Sequence, residues 1–168
     1  KINVFGATLQ AGVLAGLFAE HGHQVFWCPN ELVREDQVHY QNEDVNYLIE
    51  QQVASGFLNL GSFGELPLDN DVHVFSYAAS EQNRALALLD CIQQIAVKPK
   101  GLFINGSTFG LHGTEQLKQK LNTENWAYLP DIIQEGNALG SFTYAKQVMV
   151  GVDNDAVQST RHEILISF

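Results

Sequence analysis

The sequence predicts a doubly wound α/β domain, a mostly parallel sheet with helices on both faces. Three observations predict it. Short apolar runs alternate with segments whose apolar residues recur at helical spacing, the mark of repeated strand–helix–strand units. The 168 residues are 45% hydrophobic and 17% charged, enough to bury roughly 70% of the unfolded surface around a single core. No internal repeat, low-complexity stretch or linker divides them. Residues 1–168 are therefore read as one domain.

The elements follow in order. Ile2–Phe5 is a strand, and Ala11–His21 a helix with Val13, Leu14, Leu17 and Phe18 on one side. Val25–Cys28 is a second strand, stopped by Pro29, which cannot donate to a ladder. Val45–Ala54 is helical with Leu48 and Ile49 inward, and Phe57–Leu60 is a short strand before a Gly-rich loop. Val72–Tyr77 is a strand. Glu81–Ala96 is an amphipathic helix carrying Leu86, Leu88, Leu89, Ile92 and Ile95. Gly101–Ile104 is a strand, Gly113–Leu121 a helix, Trp126–Leu129 a strand ended by Pro130, and Gln147–Val152 the last strand. Crossovers of this kind are right-handed.

Charge narrows the function. Nine Lys+Arg stand against 19 Asp+Glu, a formal net charge of -10. Such a surface repels phosphate backbones and anionic lipid, which argues against nucleic-acid and membrane partners. A single nucleotide held by a local nest of backbone N–H groups is still compatible with it. No apolar run reaches the ~20 residues of a membrane helix, and no basic segment precedes the first strand, so a cytoplasmic protein is expected. Cys28 and Cys91 form no CxxC pair and are expected to be buried small residues in a reducing compartment. The six histidines form no HExxH or comparable ligand pair, so no metal is expected.

The turn after the first strand is Phe5-Gly6-Ala7-Thr8-Leu9-Gln10-Ala11-Gly12. Dinucleotide folds place GxGxxG/A there: a first Gly for the tight turn, a second for approach of backbone to pyrophosphate, a third for helix–strand packing. Gly6 keeps the first position, Ala11 is an accepted third, and Thr8 departs at the second. Further pieces follow along the chain: Glu20-His21-Gly22-His23-Gln24-Val25, Gly56-Phe57-Leu58, Asp71-Val72, Gly106-Ser107-Thr108 with Gly113-Thr114, Pro130-Asp131-Ile132-Ile133-Gln134-Glu135-Gly136-Asn137-Ala138, and Val148-Met149-Val150-Gly151. In order and spacing, from Lys1 to about Asp153, they resemble the N-terminal NAD-binding domain of the UDP-glucose/GDP-mannose dehydrogenase family.

That resemblance implies a Rossmann-like fold and NAD-dependent oxidation of a nucleotide-sugar C6 alcohol to the carboxylate. It implies cofactor contacts from Gly6, Thr8, Leu9, Gln10, Ala11, Asn30, Ala79 and Ser107, and catalytic positions at Thr108, Asp131 and Glu135. Thr108, Asp131 and Glu135 are expected to cluster at the C-terminal edge of the sheet, the two carboxylates on one face of a helical turn. It further implies a fragment of a longer, dimeric protein whose nucleotide sugar and catalytic Cys belong to its C-terminal parts, in polysaccharide synthesis. Neither Cys28 nor Cys91 matches that Cys, so the chain alone is expected to be inactive.

The departures fall on the cofactor positions. Pro29 stands where the family has a ribose-binding carboxylate, with Asn30 and Glu31 as candidate substitutes, and Ala78-Ala79-Ser80 replaces "PTP". If the turn needs positive φ at Thr8, the side chain costs about 1–2 kcal/mol there. Weak or lost NAD binding is the expectation, by roughly ten- to a hundredfold. The competing reading is a catalytically inactive binding or regulatory module on the same scaffold.

Overall fold

The computed structural model describes residues 1–31, 38–95, 100–134 and 136–152. Its strands are β1 (Ile2–Phe5), β2 (Val25–Cys28), β3 (Leu58–Leu60), β4 (Val72–Phe75), β5 (Leu102–Asn105), β6 (Trp126–Tyr128) and β7 (Gly151–Val152). Its helices are α1 (Leu9–Glu20), α2 (Glu43–Ser55), α3 (Gln82–Gln94), α4 (Gly113–Leu121) and α5 (Gly140–Thr143). The sheet order is β3-β2-β1-β4-β5-β6-β7. The first six strands pair in parallel and β7 runs antiparallel to β6. The order reverses beside β1, where the chain leaves one half of the sheet for the other; this is the switch point of a doubly wound fold.

Period-two alternation gives the sheet two unlike faces. Val4, Trp27, Val74 and Ile104 point one way and pack with Leu14, Leu17 and Phe18 of α1 and Val45, Leu48 and Ile49 of α2. Phe5, Phe75, Phe103 and Trp126 point the other way and pack with Leu88, Leu89 and Ile92 of α3 and Leu117 of α4. The second face is an aromatic ladder. Phe5 and Phe75 stack at 4.7 Å between centroids, and Trp126 lies 5.2 Å from Phe103 and 5.5 Å from Phe75. Helix α1 is buried from Gln10 to Ala19, because α2 covers the side that the sheet does not. Gly16 permits that contact: a Cβ there would lie 2.8 Å from Leu48 Cδ2.

Several boundaries move. Helix α1 begins at Leu9, two residues before the expected start, because Thr8 caps it. The last strand is Gly151–Val152 alone, since pairing with β6 reaches only Ala127 and Tyr128. The short helix α5 and the 3₁₀ turns Phe63–Glu65 and Ala79–Glu81 have too few residues to show a period in sequence. Cys28 is buried as expected, but Cys91 is exposed, because it sits on the outer side of α3 next to the inward Ile92.

At the N-terminal edge of the sheet a buried polar chain crosses β1 and β4. Asn70 Nδ2 donates to Asn3 Oδ1 at 2.7 Å, and Asn3 Nδ2 donates to Pro67 O at 2.7 Å and meets His73 Nδ1 at 3.1 Å. His73 Nε2 lies 3.0 Å from Lys100 O. Asn3 Nδ2 can only donate, so His73 Nδ1 accepts and the proton sits on Nε2. Burial holds the imidazole pKa below its ordinary value. The unfolded chain thus takes up this proton first as pH falls. The stability His73 contributes is full above about pH 6.5 and is lost as pH drops through the lowered folded value. Thermal melts from about pH 7.5 to 5 should show a steeper loss for the wild type than for His73→Gln; equal slopes would contradict the neutral, buried assignment.

Candidate functional site

The C-terminal ends of β1, β4, β5 and β6 share one edge, because these strands run in parallel. Gly6 leaves β1 there at φ 96°. Its N–H donates to Cys28 O at 3.0 Å, and its carbonyl accepts from Trp27 Nε1 at 2.9 Å. A Cβ at Gly6 would collide with Ser76 O, so only glycine lets the turn lie against the end of β4.

At Thr8 the condition for a strained side chain is not met. Its φ is -66° and ψ 157°, an ordinary extended N-cap, so no left-handed strain arises. Its Oγ1 accepts from Ala11 N at 3.1 Å and donates toward Ser76, whose carbonyl lies at 3.2 Å and hydroxyl at 2.5 Å. The threonine caps α1 and pins the turn to β4. Ala11 is fully buried, which suits close packing of α1 on the sheet. Leu9 is half-buried in the first turn of α1. Gln10 is buried and its Nε2 donates to Pro130 O at 3.3 Å, a bridge from α1 to the segment after β6.

Beyond β5, Ser107 is a strut. Its Oγ accepts from Tyr77 N at 2.9 Å and donates to Phe75 O at 3.2 Å, joining the ends of β4 and β5. Thr108 follows it and is exposed, while the next residue, Phe109, is buried and anchors the loop. Asp131 is exposed after β6, and its Oδ1 accepts from Ile133 N at 3.0 Å. Thr108 and Asp131 thus emerge at the same edge as Gly6. Residues 131–134 are not helical, so the expected helical turn carrying both carboxylates is not formed there. Glu135 lies outside the described residues. Ala79 is exposed in the 3₁₀ turn Ala79–Glu81, and Asn30 is half-buried, its carbonyl accepting from Cys28 Sγ at 3.5 Å.

Sequence reasoning missed a polar cluster between the ends of β2 and β4. The Tyr77 hydroxyl donates to Glu31 Oε1. Arg84, from the first turn of α3, donates from Nε to Glu31 Oε2 at 2.6 Å, from Nη1 to Glu81 Oε1 at 2.7 Å and from Nη2 to Pro29 O at 3.0 Å. Its guanidinium lies 5.6 Å from the Tyr77 ring centroid. The Glu31 side chain is only 9% exposed. Burial first, and the Glu31 charge second, raise the Tyr77 phenol well above its ordinary value, so it stays a neutral donor. Glu31 was legible as a carboxylate just past Pro29; nothing in the sequence marks Arg84, which lies 53 residues away.

No family model and no curated protein matches the sequence. Solved structures do match. The UDP-D-ManNAc dehydrogenase of Pyrococcus horikoshii is 14% identical, with a TM-score of 0.78 over 99% of this chain and 44% of its own. A GDP-mannose dehydrogenase from Pseudomonas aeruginosa is 16% identical, with a TM-score of 0.77 over 99% and 44%. Prephenate dehydrogenase from A. aeolicus is 10% identical, with a TM-score of 0.62 over 99% and 56%. The fold is therefore Rossmann-like, as expected, and this chain spans less than half the length of the nucleotide-sugar dehydrogenases it matches.

Two substitutions test the local account. Thr8→Ala removes the α1 cap and the Ser76 bridge and should cost about 1–2 kcal/mol in urea unfolding. Arg84→Met leaves Glu31 without its cation and should cost about 1–2 kcal/mol, given that Arg84 is partly exposed. Wild-type stability in either variant would contradict its assigned contacts.

Proposed function

We propose that the chain is the cofactor-binding half of a nucleotide-sugar 6-dehydrogenase-like protein and takes NAD weakly in the crevice beside Gly6. The observation that carries this is the match over nearly the whole chain at TM-scores of 0.77–0.78 to nucleotide-sugar dehydrogenases, against 0.62 for prephenate dehydrogenase. The order and spacing of the sequence pieces point the same way.

The phosphate end of the crevice suits the cofactor. Gly6 brings backbone close, and the first turn of α1 carries no acidic residue to offset its N-terminal partial positive charge. By contrast, α2 has Glu43 and Asp44 there. The ribose end suits it less. Pro29 offers no side-chain acceptor, its carbonyl is taken by Arg84, and Glu31 already serves Tyr77 and Arg84. A ribose hydroxyl must share the Glu31 carboxylate or replace one of its partners.

NAD held there would supply a hydride acceptor for alcohol oxidation. The chain's own part is to hold the pyrophosphate on the Gly6–Ala11 turn and to present Thr108 and Asp131 beyond β5 and β6. Gln10 and Ser107 set the spacing of those segments. Cys28 is buried among aromatic side chains, so it supplies no nucleophile to the crevice. The engaged Glu31 also favours a second reading, a Rossmann-like binding or regulatory module without turnover.

Calorimetric titration with NAD, NADH and UDP-glucose separates the two. The dehydrogenase reading expects saturable NAD binding weaker than micromolar, tightened about tenfold by Pro29→Asp. Absence of NAD binding in both proteins would leave the module reading.

A further inference from the structure

Tyr40 reaches the phosphate turn from the side of α2. Its hydroxyl donates to Thr8 O at 2.9 Å and lies 3.3 Å from Ala7 O. One side chain of α2 fixes its backbone at two points: Tyr40 N donates to Asn46 Oδ1 at 2.9 Å, and Asn46 Nδ2 donates to Tyr40 O at 2.8 Å. Its ring rests on Gly12, where a Cβ would lie 2.5 Å from ring Cε2 and 2.8 Å from the hydroxyl oxygen. So α2 holds the residue, Gly12 makes room for the ring, and the hydroxyl meets two consecutive carbonyls of the turn.

We propose that Tyr40 is a positioning residue that aims the backbone N–H groups of Thr8 and Leu9 at the pyrophosphate of the ligand, a role that rests on the dinucleotide reading above. The reason is the planarity of the trans peptide. Carbonyl and N–H of one unit point in opposite directions. The Ala7 carbonyl shares its unit with the Thr8 N–H, and the Thr8 carbonyl shares its unit with the Leu9 N–H. Holding both oxygens toward Tyr40 turns both N–H groups away from it. Thr8 is extended, so the two N–H groups fan out on that side instead of converging on one point, which suits a ligand with several anionic oxygens, as a pyrophosphate has. Gly12 N also donates to Thr8 O at 3.2 Å, so that peptide is fixed by the helix and the phenol together. The turn lacks the second glycine of the dinucleotide pattern; the glycine at position 12 serves the turn from behind, by admitting Tyr40.

Tyr40 does not touch the ligand in this role, so its removal should weaken phosphate recognition selectively. The test is calorimetric titration of the whole chain with ADP-ribose and with adenosine, which lacks the pyrophosphate. Tyr40→Phe should lower ADP-ribose affinity about fivefold to tenfold and leave adenosine affinity unchanged. Gly12→Ala, which displaces the ring but keeps the hydroxyl, should give the same selective loss. Thermal melts confirm that each variant is folded. Unchanged ADP-ribose affinity in folded Tyr40→Phe, or equal loss for both ligands, would overturn the positioning role and leave the dinucleotide reading standing. A wild-type protein that binds neither ligand would overturn both.

Discussion

The close approach of the Gly6 turn to the end of β4 is the contact on which the rest of the crevice depends. Gly6 takes φ 96° with Ser76 against the face where a side chain would stand. That approach lets Phe5 O accept from Ser76 N at 2.9 Å, which carries the β1–β4 pairing one step past the strand ends. It also brings Thr8 within reach of Ser76, so the cap of α1 and the end of β4 become one hydrogen-bonded unit. Helix α1 therefore starts at the switch point of the sheet, with its first N–H groups at the mouth of the crevice.

From that unit the crevice is braced in three directions. Gln10 crosses to Pro130 beyond β6, Ser107 joins β4 to β5, and the Glu31–Tyr77–Arg84 cluster closes the space between β2 and β4. Each brace joins segments remote in sequence, Ser107 across neighbouring strands and the other two across intervening ones. The result separates two chemistries along one edge. The α1 end presents a helix N-terminus with no acidic residue in its first turn, and the β2 end presents the Glu31 carboxylate, already committed to Tyr77 and Arg84. A net charge of -10 makes the first of these the more local feature, since any anion must reach it through a negative field.

The architecture was legible in the residues. The βαβ alternation gave a mostly parallel sheet, and α4 has the bounds that its periodicity predicts, Gly113–Leu121. Gly6 was legible because only a glycine satisfies a turn with positive φ and no room for Cβ. The role of Thr8 was less legible. The motif assigns glycine to that position, but here the backbone is extended and the side chain finds a capping role that the pattern does not encode. The Glu31–Arg84 and Tyr40–Thr8 contacts were invisible, because they span 53 and 32 residues and depend on which loops the sheet order brings together. The position of Asp131 just past β6 followed from the topology; the local turn that its carboxylate forms with Ile133 was not legible.

The proposed seat of the dinucleotide phosphates is the turn between β1 and α1, and backbone amide shifts mapped by NMR during titration with NAD test it. The largest shifts should fall on Ala7–Ala11, with smaller ones at Gly106–Thr108 on the same edge. Shifts confined to the N-terminal edge, around Asn70 and His73, or to the outer face of α2, would contradict it.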